Sequence, residues 1–316
     1  MNRKILFVVN PNAGRKKAGD IVNLIRRELP GDNYYQICIW ENKNEFKNIT
    51  ELILSGKFSD VVAVGGDGTV NRVARELVHT SIHLGIVPVG SGNGLARSIG
   101  INMDPRLALR SITCGLTVRI DVGLVNGQAF FCTSGVGFDA HIGKLFASSV
   151  KRGFKSYAKI TAREIFRYRA KHYTLKFGQK QLERKAFLIT VGNAGQYGND
   201  FYIAPEAVLT DGRFHVALIK PFNPFSVFTI LWKVLRRKAH QSRNIETFVT
   251  DKLIIERSSP GAIHFDGEPG EEPENLEFRI IPHGIEVICG KSFLGPAARQ
   301  KAKHEFSLSA TENLFA

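Results

Sequence analysis

One short stretch of the sequence constrains the fold more than any other. It reads VVAVGGDGTVNR over residues 61–72, and its four small apolar residues are typical of a strand buried on both faces of a parallel sheet. Gly65 and Gly66 then permit a sharp turn. Asp67 places a carboxylate at the tip of that turn, and Thr69 is predicted to cap the following helix. Open α/β sheets bind ligands at such strand ends, so the stretch predicts a ligand site, with a plain glycine turn as the alternative.

A second stretch repeats this pattern further along the chain. Residues 84–89 read LGIVPV, and the run breaks into Gly90-Ser91-Gly92-Asn93-Gly94 before residues of helical character. Two glycine-rich turns that follow neighbouring parallel strands lie side by side at one edge of the sheet. We therefore expect the two turns to line one crevice.

The first predicted strand, residues 3–9, ends in a loop that combines glycine with positive charge. The loop reads Asn10-Pro11-Asn12-Ala13-Gly14-Arg15-Lys16-Lys17. Proline ends the strand, Gly14 lets the backbone approach a ligand, and the cations suit a phosphate group. A solvated basic loop is the alternative, and the Gly-Lys-Ser/Thr of a Walker P-loop is missing.

Strand and helix patterns alternate up to about Thr117, which predicts a doubly wound parallel α/β domain over residues 1–117. Beyond it lie many short strand-like runs divided by turns such as Asn126-Gly127, which predict an antiparallel β domain over residues 118–295. A cleft between the two domains is expected to hold the ligand. Residues 296–316 are predicted to be a tail that is partly disordered or packs back on the first domain.

Two carboxylates near the end of the second domain suggest metal binding. Asp266 and Glu268 flank Gly267 at a predicted strand end. In an extended chain their side chains share one face about 7 Å apart, close enough to share a divalent ion. A solvated turn is the alternative. For Asp211, a simple hairpin turn is likewise the alternative to a ligand role.

The charge balance predicts an anionic partner. The chain has 43 Lys and Arg against 29 Asp and Glu, a net charge of +14 that suits a nucleotide, a nucleic acid or a lipid surface. Residues 144–171 carry nine basic residues and one acid, and residues 213–243 carry no acid. The longest apolar stretch, residues 225–235, is too short to span a bilayer. The spacing of the four cysteines fits neither a metal site nor a disulfide framework, which favours a reduced, cytoplasmic setting.

Together these motifs resemble the diacylglycerol kinase catalytic-domain family, which includes sphingosine and ceramide kinases. The resemblance runs in order to about Gly290, and it rests on Asn10-Pro11-Asn12-Ala13-Gly14, Gly65-Gly66-Asp67-Gly68-Thr69, Pro88-Val89-Gly90-Ser91-Gly92-Asn93, Gly137-Phe138-Asp139-Ala140, Pro205 with Asp211-Gly212, and Asp266-Gly267-Glu268. It implies an N-terminal α/β nucleotide-binding domain, a C-terminal antiparallel β-sandwich, and an active site between them. The second loop is more similar to that of sphingosine and ceramide kinases, because Gly94 replaces an acid found in many bacterial diacylglycerol kinases.

The resemblance also implies cofactors and residue roles. ATP would contact Asn10, Asn12, Gly14, Arg15, Lys16, Gly65, Gly66, Asp67, Gly68, Thr69, Gly90, Ser91, Gly92 and Asn93. The implied catalytic residues are Asp67 near the transferring phosphoryl group, Asp266 as general base or metal-linked acid, and Glu268. The implied Mg²⁺ ligands are Asp121, Asp211 and Glu268.

The implied function is transfer of the γ-phosphoryl group of ATP to a lipid hydroxyl, with diacylglycerol favoured over a sphingoid base or ceramide. The implied partners are the lipid substrate and an anionic membrane surface, with no nucleic acid, at the cytoplasmic face of the membrane. Six apolar residues are expected to enter the headgroup layer or else to form core: Phe222, Phe225, Phe228, Leu231, Trp232 and Leu235. The oligomeric state stays open, with a homodimer as one possibility. The alternatives are an NAD kinase-like enzyme, which the Asn10-Pro11 and Ser91-Gly92-Asn93 loops and the Asp-Gly-Glu motif disfavour, and a non-catalytic basic protein that binds nucleic acid or membrane.

Overall fold

The structure is a computed structural model of the 316-residue chain that describes residues 3–14, 18–29, 34–40, 46–114, 116–149, 154–195, 202–236, 238 and 241–293. Contacts divide the chain into two units. The first comprises residues 1–119 together with the chain from Ile285 onward, and the second comprises Ile120–Gly284.

The first unit alternates strands and helices. Its elements are β1 (Ile5–Val9), α1 (Ala18–Glu28), β2 (Tyr35–Ile39), α2 (Phe46–Leu54), β3 (Asp60–Gly65), α3 (Asp67–Leu77), β4 (His83–Pro88), α4 (Gly94–Ser98), α5 (Pro105–Cys114) and the start of β5 (Thr117–Val125). The strands run parallel in the order β2-β1-β3-β4. Val287, near the chain's last described residues, pairs with Leu84 beside β4.

Burial explains why β1 and β3 form the centre of this sheet. Every residue of both strands is buried, as the continuous apolar runs predict for strands covered on both faces. On one face the apolar side of α1, with Ile21 and Ile25 one turn apart, packs in a core with Phe7, Val62 and residues of α5. The sheet is therefore covered by helices, and the carboxyl ends of its strands are left to the loops.

The second unit is built from antiparallel strands. After the end of β5 its elements are β6 (Gln128–Phe130), β7 (Thr133–Gly137), α6 (Phe138–Ala147), α7 (Phe154–Glu164), β8 (Lys171–Phe177), β9 (Lys180–Ala186), β10 (Leu188–Gly192), β11 (Phe214–Ile219), α8 (Val227–Leu235), β12 (Ile245–Thr250), β13 (Lys252–Arg257), β14 (Gly261–Phe265), β15 (Glu268–Glu272) and β16 (Asn275–Ile288). One sheet has the order β12-β11-β10-β7-β14-β15. The other contains β9, β8, β13 and β16 in that order, with β5 beside β16 and β6 beside β5.

An aromatic core joins these two sheets face to face. Phe130, Phe214 and Phe278 come from β6, β11 and β16, are all fully buried, and have ring centroids 5.8 to 6.3 Å apart. Such pairs stabilise a core beyond their buried area. Apolar residues of both sheets surround them in one cluster. The second unit is therefore a β-sandwich.

A second core lies on the other face of the six-stranded sheet. It combines Phe138 and Ile142 of α6 and Ile230 and Val234 of α8 with apolar residues of β11 and β12. This cluster, which we call the helical core, contains residues of α6 and α8, and Ile160 of α7 packs against it. It positions all three helices on one side of the sandwich.

The predicted fold class is confirmed: an N-terminal doubly wound α/β unit and a C-terminal antiparallel β-sandwich. The contact-based boundary falls at residues 119 and 120, and it returns the chain from Ile285 to the first unit, whereas the predicted second domain extended to residue 295. The predicted tail, residues 296–316, lies outside the described residues.

Candidate functional site

Three loops at the carboxyl ends of β1, β3 and β4 converge within the first unit. Asn10, directly after β1, donates its backbone N–H to Val64 of β3 and its side-chain amide to Thr69 Oγ1 in α3, at 3.0 and 2.9 Å. Asn10 Oδ1 in turn accepts the N–H of Asn12 at 2.9 Å. The first predicted loop is therefore fastened to the second by both main chain and side chain.

The glycines in these loops allow the main chains to touch. A methyl group on Gly90 would lie 2.6 Å from the Cα of Gly66, so the second and third loops meet backbone to backbone. Gly14 has φ +74°, and a methyl group there would lie 2.1 Å from the carbonyl oxygen of Val89. Side chains at these positions would push the three loops apart, which explains why glycine occupies them. Arg15 and Lys16 lie outside the described residues.

Asp67 holds the second loop to the third. Its two carboxylate oxygens accept the backbone N–H groups of Asn93 and Gly94 at 2.8 and 2.6 Å. Hydrogen bonds to a charged acceptor are about twice as strong as neutral ones. The side chain predicted to sit beside the transferring phosphoryl group thus fixes the shape of the glycine loops. Its predicted catalytic role stays a prediction.

The predicted helix cap at Thr69 is wrong. Helix α3 begins at Asp67, two residues earlier, and Gly66 occupies the N-cap position without a side chain that could cap it. Gly65 ends β3, while Gly68 and Thr69 lie in the first turn of α3, where the Thr69 hydroxyl accepts the Asn10 amide instead. The first N–H groups of a helix have no partner within the helix, and an uncapped end suits an anion.

The third loop contains a buried acceptor. Asn93 adopts a left-handed conformation, with φ 55°, before α4, and its side-chain N–H donates to Gly90 O at 2.8 Å. Its Oδ1 is buried and has no hydrogen-bond partner among the described residues. Burying an unsatisfied acceptor costs roughly 1–3 kcal/mol, so such an atom marks a place for a ligand donor. Ser91 and Gly92 complete the loop, and Gly92 O accepts the Arg97 side chain at 3.1 Å.

Two of the predicted metal ligands lie close together in the second unit. Asp121 is buried, and its oxygens accept the N–H groups of Gly212 and His283 at 2.7 and 2.9 Å. Asp211, the neighbour of Gly212, pairs with His215 at 3.1 Å. Within the described ranges no group of three or more His, Cys, Asp or Glu side chains is arranged to hold a metal ion. Any ion here would need oxygens from water or substrate.

Asp266 and Glu268 do not lie in one extended strand, so the extended geometry is wrong and the alternative, a turn, is what the structure shows. Asp266 and Gly267 have φ 52° and 86° and form the two-residue loop of the hairpin between β14 and β15, with Phe265 paired to Glu268. Positive φ at both central residues is the pattern of a type I′ turn, for which Asp-Gly is a preferred sequence. Glu268 is exposed at the start of β15. The predicted roles of both acids stay predictions.

The Asp266 carboxylate organises a neighbouring loop. It accepts three backbone N–H groups, from Phe131, Cys132 and Thr133, at 2.7 to 2.9 Å. The buried Asn193 side chain bonds the carbonyl oxygens of Phe131 and Asp121, both at 2.9 Å. Asp121 and Asp266, distant in sequence, therefore belong to one hydrogen-bond network.

A pair formed by a buried histidine and a half-buried acid was missed by the sequence reasoning. His264 Nε2 lies 3.1 Å from Asp139 Oδ2, and the Gly267 N–H points at His264 Nδ1 from 3.4 Å. Asp139 belongs to the Gly137-Phe138-Asp139-Ala140 motif, which was the available signal. Burial, with a smaller contribution from the Asp139 charge, raises the pKa of Tyr168 to about 12. Through these two contacts of His264, the pair connects Asp139 of α6 to the Asp266–Gly267 turn.

Comparison with known proteins decides the family. The diacylglycerol kinase catalytic domain matches residues 4–125, and the YegS C-terminal NAD kinase beta sandwich-like domain matches residues 133–289. The chain belongs to the diacylglycerol kinase catalytic-domain family. The first matched region contains the three converging loops, and the second contains the turns with Asp211 and Asp266. The predicted resemblance is confirmed.

Individual relatives are distant but extend over most of the chain. A "Probable lipid kinase YegS-like" protein of Klebsiella pneumoniae (strain 342) is 28% identical over 270 residues, which cover 84% of this chain and 89% of the relative. A solved diacylglycerol kinase structure from Bacillus anthracis str. Sterne has a TM-score of 0.72 at 19% identity and covers 92% of this chain and 98% of that chain. Yeast NADH kinase complexed with NADH has a TM-score of 0.56 at 8% identity, with 92% and 84% covered. The two structural matches show a shared fold.

Proposed function

We propose that the chain is an ATP-dependent lipid kinase that transfers the γ-phosphoryl group of ATP to a lipid hydroxyl. The observation that carries this proposal is the convergence of three glycine-rich loops beside the uncapped start of α3, in a member of a lipid kinase family. Main-chain N–H groups presented by such loops are suited to bind phosphates.

The residues present in the first unit fit a nucleoside triphosphate. The start of α3, which has no side-chain cap, suits phosphate oxygens, and the buried Asn93 Oδ1 suits a hydroxyl or amino donor of the nucleoside. The sequence supplies positive charge next to the first loop through Arg15 and Lys16. In this proposal Asn10, Asn12 and Thr69 keep the loops in register, and the glycines let the phosphates approach the main chain.

Phosphoryl transfer mainly requires positioning and neutralisation of charge, because its transition state is loose and demands little covalent chemistry from the protein. Bound ATP supplies the phosphoryl group and its leaving group. The protein residues orient the triphosphate by donating N–H groups and exclude competing geometries by holding the loops rigid. Fixed donors of this kind stabilise developing charge without reorganising during the reaction.

Mg²⁺ is the metal that the proposal requires. Oxygen donors are its preferred ligands, and it is commonly bound by one or two carboxylates together with substrate phosphates and water. Asp121, Asp211 and Glu268 carry donors of this type, and Asp121 and Asp211 lie at one turn. We propose these acids as the candidates, with phosphate oxygens and water completing the coordination shell.

The acceptor is proposed to be diacylglycerol, with a sphingoid base or ceramide as the second choice. Asp266 and Glu268 are proposed to act on the acceptor side, where a carboxylate that takes up the hydroxyl proton would contribute about 10²- to 10⁴-fold. None of the helices in the described ranges is long and apolar enough to cross a membrane. We therefore propose that the enzyme works peripherally, at the cytoplasmic face where ATP is present.

A labelled-phosphate assay tests this proposal. The purified chain is incubated with Mg²⁺ and γ-labelled ATP against detergent micelles of diacylglycerol, sphingosine or ceramide, and separately against NAD. We expect label in a lipid product. Label in NAD alone would establish the NAD kinase-like alternative, and no label in any acceptor under conditions where ATP binds would contradict the kinase proposal.

Matched glycine variants link that activity to the loops. Gly90→Ala places a methyl group against Gly66, so we expect activity to fall at least about 100-fold, the loss typical of misplaced reacting groups. Gly19→Ala is the control, because a methyl group there meets nothing within 4 Å. Full activity in Gly90→Ala would mean that the loop contact is not part of the site.

A further inference from the structure

Helix α8 is apolar on two opposite sides. Ile230 and Val234, one turn apart, are buried in the helical core. On the other side lie five apolar residues that we call the α8 face: Phe225, Phe228, Leu231, Trp232 and Leu235. A helix on the surface of a soluble domain normally directs polar residues outward, so this second apolar side needs an explanation.

The α8 face is exposed and continuous. Phe225 and Phe228 are 78% and 71% exposed, and Trp232 is 54% exposed. Phe228, Leu231, Trp232 and Leu235 follow the i, i+3, i+4, i+7 spacing, which places them within an arc of about 100° on the helix. Phe222 does not belong to the face, because its ring packs on Phe187 at 4.8 Å. Exposed apolar patches of this kind mark interaction sites.

Basic residues flank the face along the chain. The segment from Arg213 to Arg243 contains seven Lys and Arg and no acid. Arg236 stacks over the Trp232 ring at 5.6 Å, at the edge of the face. The second basic segment, residues 144–171, contributes Ile160, Ile165 and Tyr168 to the same helical core, and its residue Phe166 is 60% exposed. Both basic segments of the chain therefore border one core.

We propose that the α8 face inserts into the surface of an anionic lipid bilayer. The helix has nine residues, roughly 14 Å at 1.5 Å per residue, so it can lie in the plane of the interface but cannot span the bilayer. Apolar rings enter the boundary between headgroups and acyl chains, and the flanking cations contact lipid phosphates. This names a partner of the enzyme and in that respect rests on the proposed function, while the exposed face and its charge support membrane binding by themselves.

Charge favours a bilayer over a second copy of the chain. Two copies meeting through this face would bring together two segments that each have seven Lys and Arg and no acid, which is unfavourable even though Lys220 pairs with Glu246 at 3.5 Å. An anionic lipid surface instead attracts each Lys or Arg near it and accepts apolar side chains at the same time. An anionic bilayer therefore suits both the apolar residues of the face and the positive charge beside it.

Tryptophan fluorescence tests the proposal directly. The chain has two tryptophans, and Trp40→Phe leaves Trp232 as the only reporter. The full chain is mixed with vesicles of phosphatidylcholine alone or phosphatidylcholine with phosphatidylglycerol, without ATP or any lipid substrate. We expect a blue shift of Trp232 emission and quenching by brominated acyl chains on the anionic vesicles only, and weaker binding as salt is raised.

Variants assign the binding to the face. Phe228→Ser combined with Leu231→Ser is expected to lower vesicle partitioning at least about tenfold, because two apolar side chains lose their burial. Leu54→Ser is the control, because Leu54 is also an exposed leucine, at 57%, on helix α2 of the first unit. Phe225→Ser, outside the helix, provides a second test that leaves α8 untouched. Thermal unfolding of each variant verifies that it folds.

Several outcomes would overturn the proposal. Vesicle binding with unshifted Trp232 emission, or an equal loss in Leu54→Ser, would exclude the α8 face. A blue shift without vesicles that grows with protein concentration would show that a second copy covers the face. Absence of binding to anionic vesicles would also overturn the proposal. ATP affinity of the Phe228→Ser/Leu231→Ser variant, measured by calorimetry without lipid, is expected to stay unchanged. The vesicle assay contains neither ATP nor a lipid substrate, so a failure here is separate from a failure of the proposed function.

Discussion

Replacing Asp67 with asparagine tests whether this acid acts through the loops or on the reacting groups. Its carboxylate accepts the N–H groups of Asn93 and Gly94 at 2.8 and 2.6 Å. A hydrogen bond to a charged group contributes about 1.5–3 kcal/mol net, whereas a neutral one contributes about 1 kcal/mol. Asparagine keeps one carbonyl oxygen as an acceptor, but its NH₂ group faces the second of these two backbone N–H groups and cannot accept a hydrogen bond from it. Because Asp67 is half-buried, we expect a loss of about 2–3 kcal/mol in the free energy of unfolding.

The expected signature combines stability with nucleotide binding. A loss of this size lowers the unfolding midpoint by roughly 5–10 °C. Released from Asp67, the third loop no longer presents Asn93 in a fixed position, and we expect the Kd for ATP to rise about tenfold or more. Thermal unfolding by circular dichroism and calorimetric titration with ATP measure the two quantities on the same sample.

Asp104→Asn is the matched control. Asp104 also accepts two backbone N–H groups, from Arg106 and Leu107, but as an exposed N-cap of α5, where asparagine caps equally well. Its stability is expected to change by less than about 0.5 kcal/mol. An Asp67→Asn variant with an unchanged midpoint and unchanged ATP affinity would refute the loop argument. If its kcat nevertheless collapsed, Asp67 would have to act on the reacting groups themselves.

Three further predictions concern other parts of the molecule. Burial alone would raise the pKa of Asp60, but hydrogen bonds from Arg3, Ser59 and His83 lower it below its usual value, so this stabilisation is present above about pH 4 and lost as the pH falls through the native pKa. Arg3→Ala should cost about 3 kcal/mol at neutral pH in urea unfolding, and the difference from wild type should shrink below pH 4. His264→Phe should lower the free energy of unfolding by about 2–4 kcal/mol, because it leaves Asp139 without its histidine partner. His264→Gln should stay closer to wild type in the same urea assay. Gly14→Ala should weaken ATP binding at least about tenfold in calorimetry, because its methyl group has no room and its φ is positive.

Buried strands were the part of the fold that the sequence revealed best. The first predicted strand, residues 3–9, contains β1, and the buried runs of β1 and β3 were recognised from their unbroken apolar composition. Strands with exposed faces were missed. β9 reads KQLERKA and β15 reads EPGEE, and their pairing with β8 and β14 overrides a composition that is typical of turns.

The loops of the first unit were predicted because their signal is local. Glycine at Gly66 and Gly90 is required by a main-chain contact, and parallel neighbours bring such turns to one edge whatever the details of packing. The Asp266-Gly267 turn shows the opposite case. The same two-residue hairpin pattern was read correctly at Asn126-Gly127, where both φ angles are again positive, but an acid in the turn suggested an extended metal site instead.

Three acids of this chain have a shared structural use, and that use affects how activity data should be interpreted. Asp67 joins two loops through two N–H groups, and Asp266 holds a third loop through three. Asp121 does the same with the N–H groups of Gly212 and His283. Each bond joins segments far apart in sequence, so spacing could suggest chemistry at these acids but not their structural partners. Replacing a carboxylate that is engaged in this way lowers both the stability and the activity of the enzyme. Loss of activity alone therefore does not identify the proton acceptor. The proton acceptor must instead be the acid whose amide variant keeps its unfolding midpoint and its ATP affinity while kcat falls. Glu268 is exposed at the start of β15, so among the predicted site residues it is the one where a loss of kcat is easiest to separate from a loss of stability.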